Sequence, residues 1–153
     1  DTFLVIIGYG AHEAKLKALA SEYAPEKTRF LGRVEPSDIL ELTAGADVGV
    51  IPYQPIDLNH KFCSPNKFFE YVLASVPIVA EDLVFFRTMK EKYGVVETGK
   101  LGTPEGMARA VLSILNDRGK YFKMKEACWG AARELNWETE GRKLIEAYGR
   151  LRK

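Results

Sequence analysis

Cysteine is scarce: Cys63 and Cys128 are the only two in 153 residues. They are too few and too unpatterned for a disulfide framework or a zinc site, so two reduced thiols in a cytosolic domain are expected. Histidine is equally rare, with His12 and His60 alone; no His, Cys and carboxylate cluster has ligand spacing, and no structural metal is expected. Neither charge is in excess, since 22 Lys and Arg stand against 21 Asp and Glu for a formal net charge of +1. That excludes a global field drawing nucleic acid or an anionic membrane, so any anion site must be local. Long apolar runs are missing too. The longest, such as Phe3 to Ile7, fall far short of a bilayer span, and no basic-then-apolar leader precedes them. Repeats, low-complexity segments and internal linkers are absent. The length fits one domain over 1–153, able to bury roughly two thirds of its unfolded surface. The chain opens without methionine in a strand-like run, as expected of a piece of a longer protein.

What is present is an alternation of strands and helices. Phe3 to Ile7 is a continuous apolar run closed by Gly8-Tyr9-Gly10, which predicts a strand buried on both faces. From His12 to Tyr23, Leu16, Leu19, Ala20 and Tyr23 recur at helical spacing, ending before Pro25. Thr28 to Leu31 reads as a short strand. Gly32 then turns the chain, and Pro36, Ser37 and Asp38 open a short helix. Val48 to Pro52 is a third strand, and Tyr53 to Cys63 a long loop. Ser64 to Ser75 predicts a helix, Pro77 to Ala80 a strand, Val84 to Tyr93 a helix and Gly94 to Val96 a last strand. The remainder carries helical stripes: Met107 to Leu115, Tyr121 to Leu135, and a tail from Trp137. Trp129 and Trp137 read as packing residues. About five strands alternating with helices predict a doubly wound parallel sheet covered by helices on both faces, with a helical C-terminal tail. In such folds ligands sit beyond the carboxyl ends of the strands.

The stretch from Ser64 to Glu70 lies directly after one such end. Ser64 is a good N-cap and Pro65 suits the first helical position, leaving the backbone amides of Asn66 and Lys67 free. Those amides, the helix dipole and the Lys67 ammonium would attract a phosphate or diphosphate. Glu70, three residues past Lys67, shares their face, and its two oxygens suit the two hydroxyls of a ribose. Phe69, Val72, Leu73 and Val76 would dock on the sheet. The same residues also fit an ordinary helix opening with a surface pair between Lys67 and Glu70.

Gly8-Tyr9-Gly10, then "RFLGRVEPSDILELTAGADVGVIPY", "SPNKFFEYVLASVPIVAE" and "NWETEGRKLIEAYGRL" resemble, in that order, the carboxyl-terminal half of GT-B glycosyltransferases of the group-1 (family 4) kind. The Asn-Lys-x-x-Glu-Tyr stretch is the most specific piece. The resemblance implies a Rossmann-like domain that binds the nucleotide of a sugar-nucleotide donor such as a UDP-, GDP- or ADP-sugar. It needs no cofactor or divalent ion, and a missing N-terminal domain would bind the acceptor. It implies that Glu70 holds the ribose, that the amides of Asn66 and Lys67 meet the diphosphate, and that Arg33 and Val34 lie near the base. Gly8 and Gly10 would let the ligand approach the first strand end. Transfer to an acceptor hydroxyl with retention, in polysaccharide biosynthesis, is implied by the family alone, as is a cytoplasmic protein with room for peripheral membrane attachment.

Two departures stand out. The family's first glutamate falls at Phe62, where Asn59, His60 or Lys61 could substitute without the sequence choosing among them. The family's arginine and lysine after the preceding strand have no counterpart, so the chain alone is expected to bind nucleotide and not to transfer sugar. Other residues carry less. His12 fits a surface position better than a phosphate ligand, and His60 has a better claim because its loop borders the proposed site. Ser75 lacks a Gly-x-Ser-x-Gly elbow, which leaves a hydrolase unsupported. A noncatalytic receiver-like or interaction module is the alternative class. Gly8-Tyr9-Gly10 and Pro52-Tyr53 occupy the strand ends where a receiver needs acidic residues. A GT-B-related sugar-nucleotide epimerase is a further alternative.

Overall fold

A computed structural model of the chain describes residues 2–151. It is a mixed α/β structure in which five strands, all parallel, form ladders of two and three. The chain divides into two compact units, one ending at Ile39 and the other beginning at Leu40.

In the first unit β1 (Leu4–Ile7) pairs with β2 (Thr28–Gly32) across the helix α1 (Glu13–Tyr23). The expected burial of Phe3 to Ile7 on both faces is corrected here: Phe3, Leu4 and Val5 are each more than half exposed. The reason is the shortage of cover, because this unit offers one helix to two strands, and α1 itself has no buried residue. Gly8 follows β1 at φ +134, a backbone that only glycine adopts without strain.

The second unit holds the core. After the short helix α2 (Ile39–Ala44), β3 (Gly49–Ile51), β4 (Ile78–Glu81) and β5 (Val96–Gly99) pair in that order. Between β3 and β4 run α3 (Leu58–Phe62) and α4 (Asn66–Leu73), and α5 (Val84–Tyr93) joins β4 to β5. The helical tail is α6 (Pro104–Leu115), α7 (Arg118–Ala131) and α8 (Trp137–Leu151).

Alternation along β4 explains the layers. Ile78 and Ala80 face a cluster with Phe68 and Val72 of α4, Phe86 of α5 and Cys128 of α7. Val79 points the other way, into a cluster with Ala110 and Ile114 of α6 and Met124 of α7. A strand apolar on both faces is what a parallel sheet covered on both sides requires. Each fully buried side chain of this kind contributes about 1.5–3 kcal/mol.

Several expectations change. The segment Tyr53 to Cys63 is not all loop, since Asp57 caps the five-residue α3. Of the α4 residues expected on the sheet, Val72 is buried as foreseen, but Phe68 takes the central place while Leu73 is 42% exposed. Trp129 and Trp137 are not packing residues, being 58% and 73% exposed; helical spacing gives a stripe but not the direction it faces. Both cysteines are free thiols. Among the described residues no helix is long and apolar enough to cross a membrane, and no group of His, Cys, Asp and Glu could hold a metal.

Candidate functional site

Because β3 and β4 are parallel neighbours, the crossover between them must descend the sheet. α4 therefore starts on the side of the strands' carboxyl ends. Its start lies one residue later than expected: Pro65, extended at φ −77 and ψ 144, occupies the cap position, and no side chain caps the helix. Ser64 is thus not the cap, because Pro65 is itself extended and the first helical residue can only follow it.

The first turn closes with the Phe68 amide donating to the Pro65 carbonyl at 3.0 Å. Among the described residues no acceptor takes the amides of Asn66 or Lys67. Pro65 has no N–H to offer, so these are the two outward donors of the helix end, where the dipole adds partial positive charge. Lys67 is exposed and Glu70, one turn further on, is half-buried. The surface pair that these two could have formed does not exist: neither has an ion-pair or hydrogen-bond partner among the described residues. A cationic side chain, two free amides and a free carboxylate thus lie within five residues of one helix.

His60 stands at the same end of the strands. Its ring meets that of Tyr53, just past β3, edge-on at 6.0 Å between centroids. Asp57 Oδ1 accepts from the His60 backbone N at 2.7 Å and lies 2.8 Å from His60 Nδ1. Those bonds from His60 hold the Asp57 carboxyl below its ordinary range. Cys63 Sγ donates to the His60 carbonyl at 3.2 Å, tying α3 to the segment that enters α4.

Sequence reasoning gave no role to Glu81, Gln54 or Asp57. Glu81 ends β4 with 9% of its surface exposed, and its Oε2 accepts from the Leu101 amide at 2.7 Å and from Gln54 Nε2 at 2.8 Å. One buried carboxylate thereby ties the segments leaving β3 and β5 to the end of β4. Its signal was legible as an acid closing the wholly apolar run Pro77 to Ala80, and that of Asp57 as a cap residue three before His60.

In the first unit, Gly8, Gly10, Arg33 and Val34 gather beyond the carboxyl ends of β1 and β2. The Gly8 amide donates to the Gly32 carbonyl at 2.8 Å. The Arg33 guanidinium lies 5.3 Å from the centre of the Tyr9 ring, and Val34 is half-buried. Gly10 accepts from the Glu13 amide at the start of α1 and, unlike Gly8, has no left-handed backbone. His12 is exposed and makes no side-chain cap.

Parallel strand ladders flanked by helices are the arrangement of a Rossmann-like α/β fold. The sequence profile described as "Glycosyl transferases group 1" matches residues 1–117, and the chain belongs to that family. Among solved structures it is similar to sucrose-phosphate synthase from Thermosynechococcus elongatus, at 18% identity and TM-score 0.76, over 97% of this chain and 38% of that one. It is also similar to HepE of Anabaena, solved in complex with UDP, at 16% identity and TM-score 0.73, over 97% of this chain and 41% of that one. The chain thus spans about two fifths of the length of these GT-B proteins, and at such identities the likeness speaks for the fold. No curated protein sequence matches it.

Proposed function

We propose that this domain binds the nucleoside diphosphate portion of a sugar-nucleotide donor, and that the activity it serves is sugar transfer to an acceptor hydroxyl. The observation that carries this reading is the start of α4, where the unpaired amides of Asn66 and Lys67 stand one turn ahead of an unpaired Glu70. The diphosphate takes the amides and the Lys67 ammonium, and Glu70 accepts from both ribose hydroxyls. HepE, solved with UDP, supports a nucleotide ligand by analogy of fold.

In transfer, the bond between the anomeric carbon and the diphosphate oxygen breaks with its electron pair staying on the diphosphate. The acceptor oxygen forms the new bond as its proton passes to the departing diphosphate. Charge builds on the departing diphosphate. Fixed amides at a helix start stabilise it without rearranging, and Lys67 adds a full charge. Retention at the anomeric carbon rests on the family resemblance.

Calorimetric titration with UDP, GDP and ADP tests the reading directly. One of them should bind, and Glu70→Ala should weaken it by about tenfold or more, the scale of lost hydrogen bonds to a charged acceptor. Inorganic pyrophosphate should bind the variant as it binds the native chain. Equal losses for both ligands, or no binding at millimolar concentration, would sink the proposal.

A further inference from the structure

We propose that the outer face of α7 is a second binding surface, one that holds a neutral oligosaccharide chain at the end of the strands opposite the start of α4. The surface goes beyond the donor-site reading and does not depend on it.

A groove of about 480 Å³ runs between α7 and the end of α4, lined by Ser75, Phe122, Lys125, Glu126 and Trp129, within the size range of small-ligand clefts. Its α7 residues recur at i, i+3, i+4 and i+7 and so share one face. The opposite face is fixed in the core. Met124, Cys128 and Ala131 are buried, and Cys128 Sγ donates to the Val76 carbonyl at 3.4 Å, next to Ser75. Phe122 and Trp129 remain 55% and 58% exposed, two helical turns or about 10.5 Å apart. A guanidinium lies near each ring, Arg118 at 5.8 Å from the Phe122 centre and Arg133 at 4.1 Å from that of Trp129. Those contacts steady the rings and still leave more than half of each residue open.

Three polar groups share the groove without a partner. Among the described residues Lys125 and Glu126 form no ion pair or hydrogen bond, and the Ser75 hydroxyl makes no hydrogen bond. They are a donor, an acceptor and a group that is both, and the two charges cancel. Ser75 is also strained: its φ is +57, the sole left-handed backbone outside glycine among the described residues. It closes α4, with the Val76 amide donating to the Tyr71 carbonyl at 2.9 Å, at a place where glycine is the ordinary choice. A serine keeps the backbone cost and sets a hydroxyl in the groove.

These groups select the ligand. A pyranose has an apolar C–H face that packs on an aromatic ring, and a rim of hydroxyls that both donate and accept. Two steadied rings with a donor and an acceptor between them along the helix therefore match successive units of a glycan. An anionic lipid surface would meet Glu126 with no net positive charge lining the groove to offset it. An apolar segment would leave all three polar groups without partners.

The test uses the Trp137→Phe chain, in which Trp129 is the one tryptophan; Trp137 is 73% exposed, so its replacement leaves the core intact. Cellohexaose, maltohexaose, mannohexaose and N-acetylchitohexaose are titrated in turn while the Trp129 emission is followed. At least one should shift it saturably at millimolar concentration or below. By calorimetry, that glycan should bind Trp129→Ala about tenfold or more weakly, and Phe122→Ala and Glu126→Gln about threefold or more weakly. Ser75→Gly should lose a similar factor while its unfolding midpoint stays level or rises, a combination that a residue kept only for the fold would not give. Glu70→Ala should bind the glycan as the native chain does, so this surface and the donor site fail separately. Four results would each overturn the inference: no hexasaccharide binds at millimolar concentration, Trp129→Ala binds unchanged, Glu70→Ala loses the glycan, or vesicles of phosphatidylcholine and phosphatidylserine shift Trp129 where the glycans do not.

Discussion

Replacing Glu81 with leucine removes a buried acceptor and leaves its donors behind. The Leu101 amide loses its 2.7 Å bond, and because Leu101 is 3% exposed it has no route to water. A stranded buried N–H costs about 1–3 kcal/mol. Exchanging both partners of a buried polar pair for apolar groups can be neutral, but a backbone amide cannot be exchanged. Gln54 is less confined, so its 2.8 Å bond to the same oxygen contributes less; Gln54→Ala should cost about 0.5–1.5 kcal/mol. In Glu81→Gln the amide oxygen still accepts from both donors, so that variant should fall between native and Glu81→Leu. Urea unfolding followed by circular dichroism, with an unchanged denaturant slope, resolves such differences against a total of about 5–15 kcal/mol. A Glu81→Leu protein as stable as the native one, or a Gln54→Ala protein less stable than Glu81→Leu, would refute the argument.

Phe68, fully buried among Phe69, Phe85 and Phe86, should cost about 3–5 kcal/mol on truncation to alanine in the same assay, whereas exposed Phe122 should stay within about 0.5 kcal/mol. Burial pushes the Cys128 thiol up from 9.0 to about 12. Its contribution is therefore complete below pH 9 and declines as pH rises toward the folded value; Cys128→Ala should flatten the fall in unfolding free energy between about pH 9 and 11. In the native chain a thiol reagent should modify Cys63 and reach Cys128 only on unfolding. For Glu97, burial acts to raise the carboxyl, but Lys120 and Lys90, each 2.6 Å away, more than offset it and hold it below 4.5. That stabilisation is present above pH 4.5 and is lost as pH drops through the lower folded value, so Glu97→Gln should reduce the acid sensitivity of the unfolding midpoint.

Elements with their own local stop signals were legible from the sequence. Val84 to Tyr93 is a helix to the residue, ended by Gly94 at φ +72, a backbone that glycine supplies. Ile78 to Ala80 could be seen as a buried strand because no polar side chain interrupts it. What failed was burial by direction. Phe3 to Val5 makes the same apolar pattern as β4, yet its unit lacks a second covering layer, and no local pattern reports how many layers will form. The five residues of α3 are too few to show a helical period. At the candidate site, spacing and family likeness singled out Asn66, Lys67 and Glu70. The bond from Asp57 to the His60 ring and the grip of Glu81 on Leu101 depend on rotamers and distant segments, which a sequence pattern does not carry.

Gly49 in β3 has a consequence for how this domain can vary. A Cβ built there would lie 2.6 Å from the Tyr71 ring of α4, so the aromatic plane rests flush on bare backbone. Any larger residue must lever that helix away from the strand, and the two outward amides at its beginning would travel with it. In a mutational library, a position remote from any proposed ligand contact should therefore look as intolerant as Glu70, the carboxylate proposed to hold the ribose.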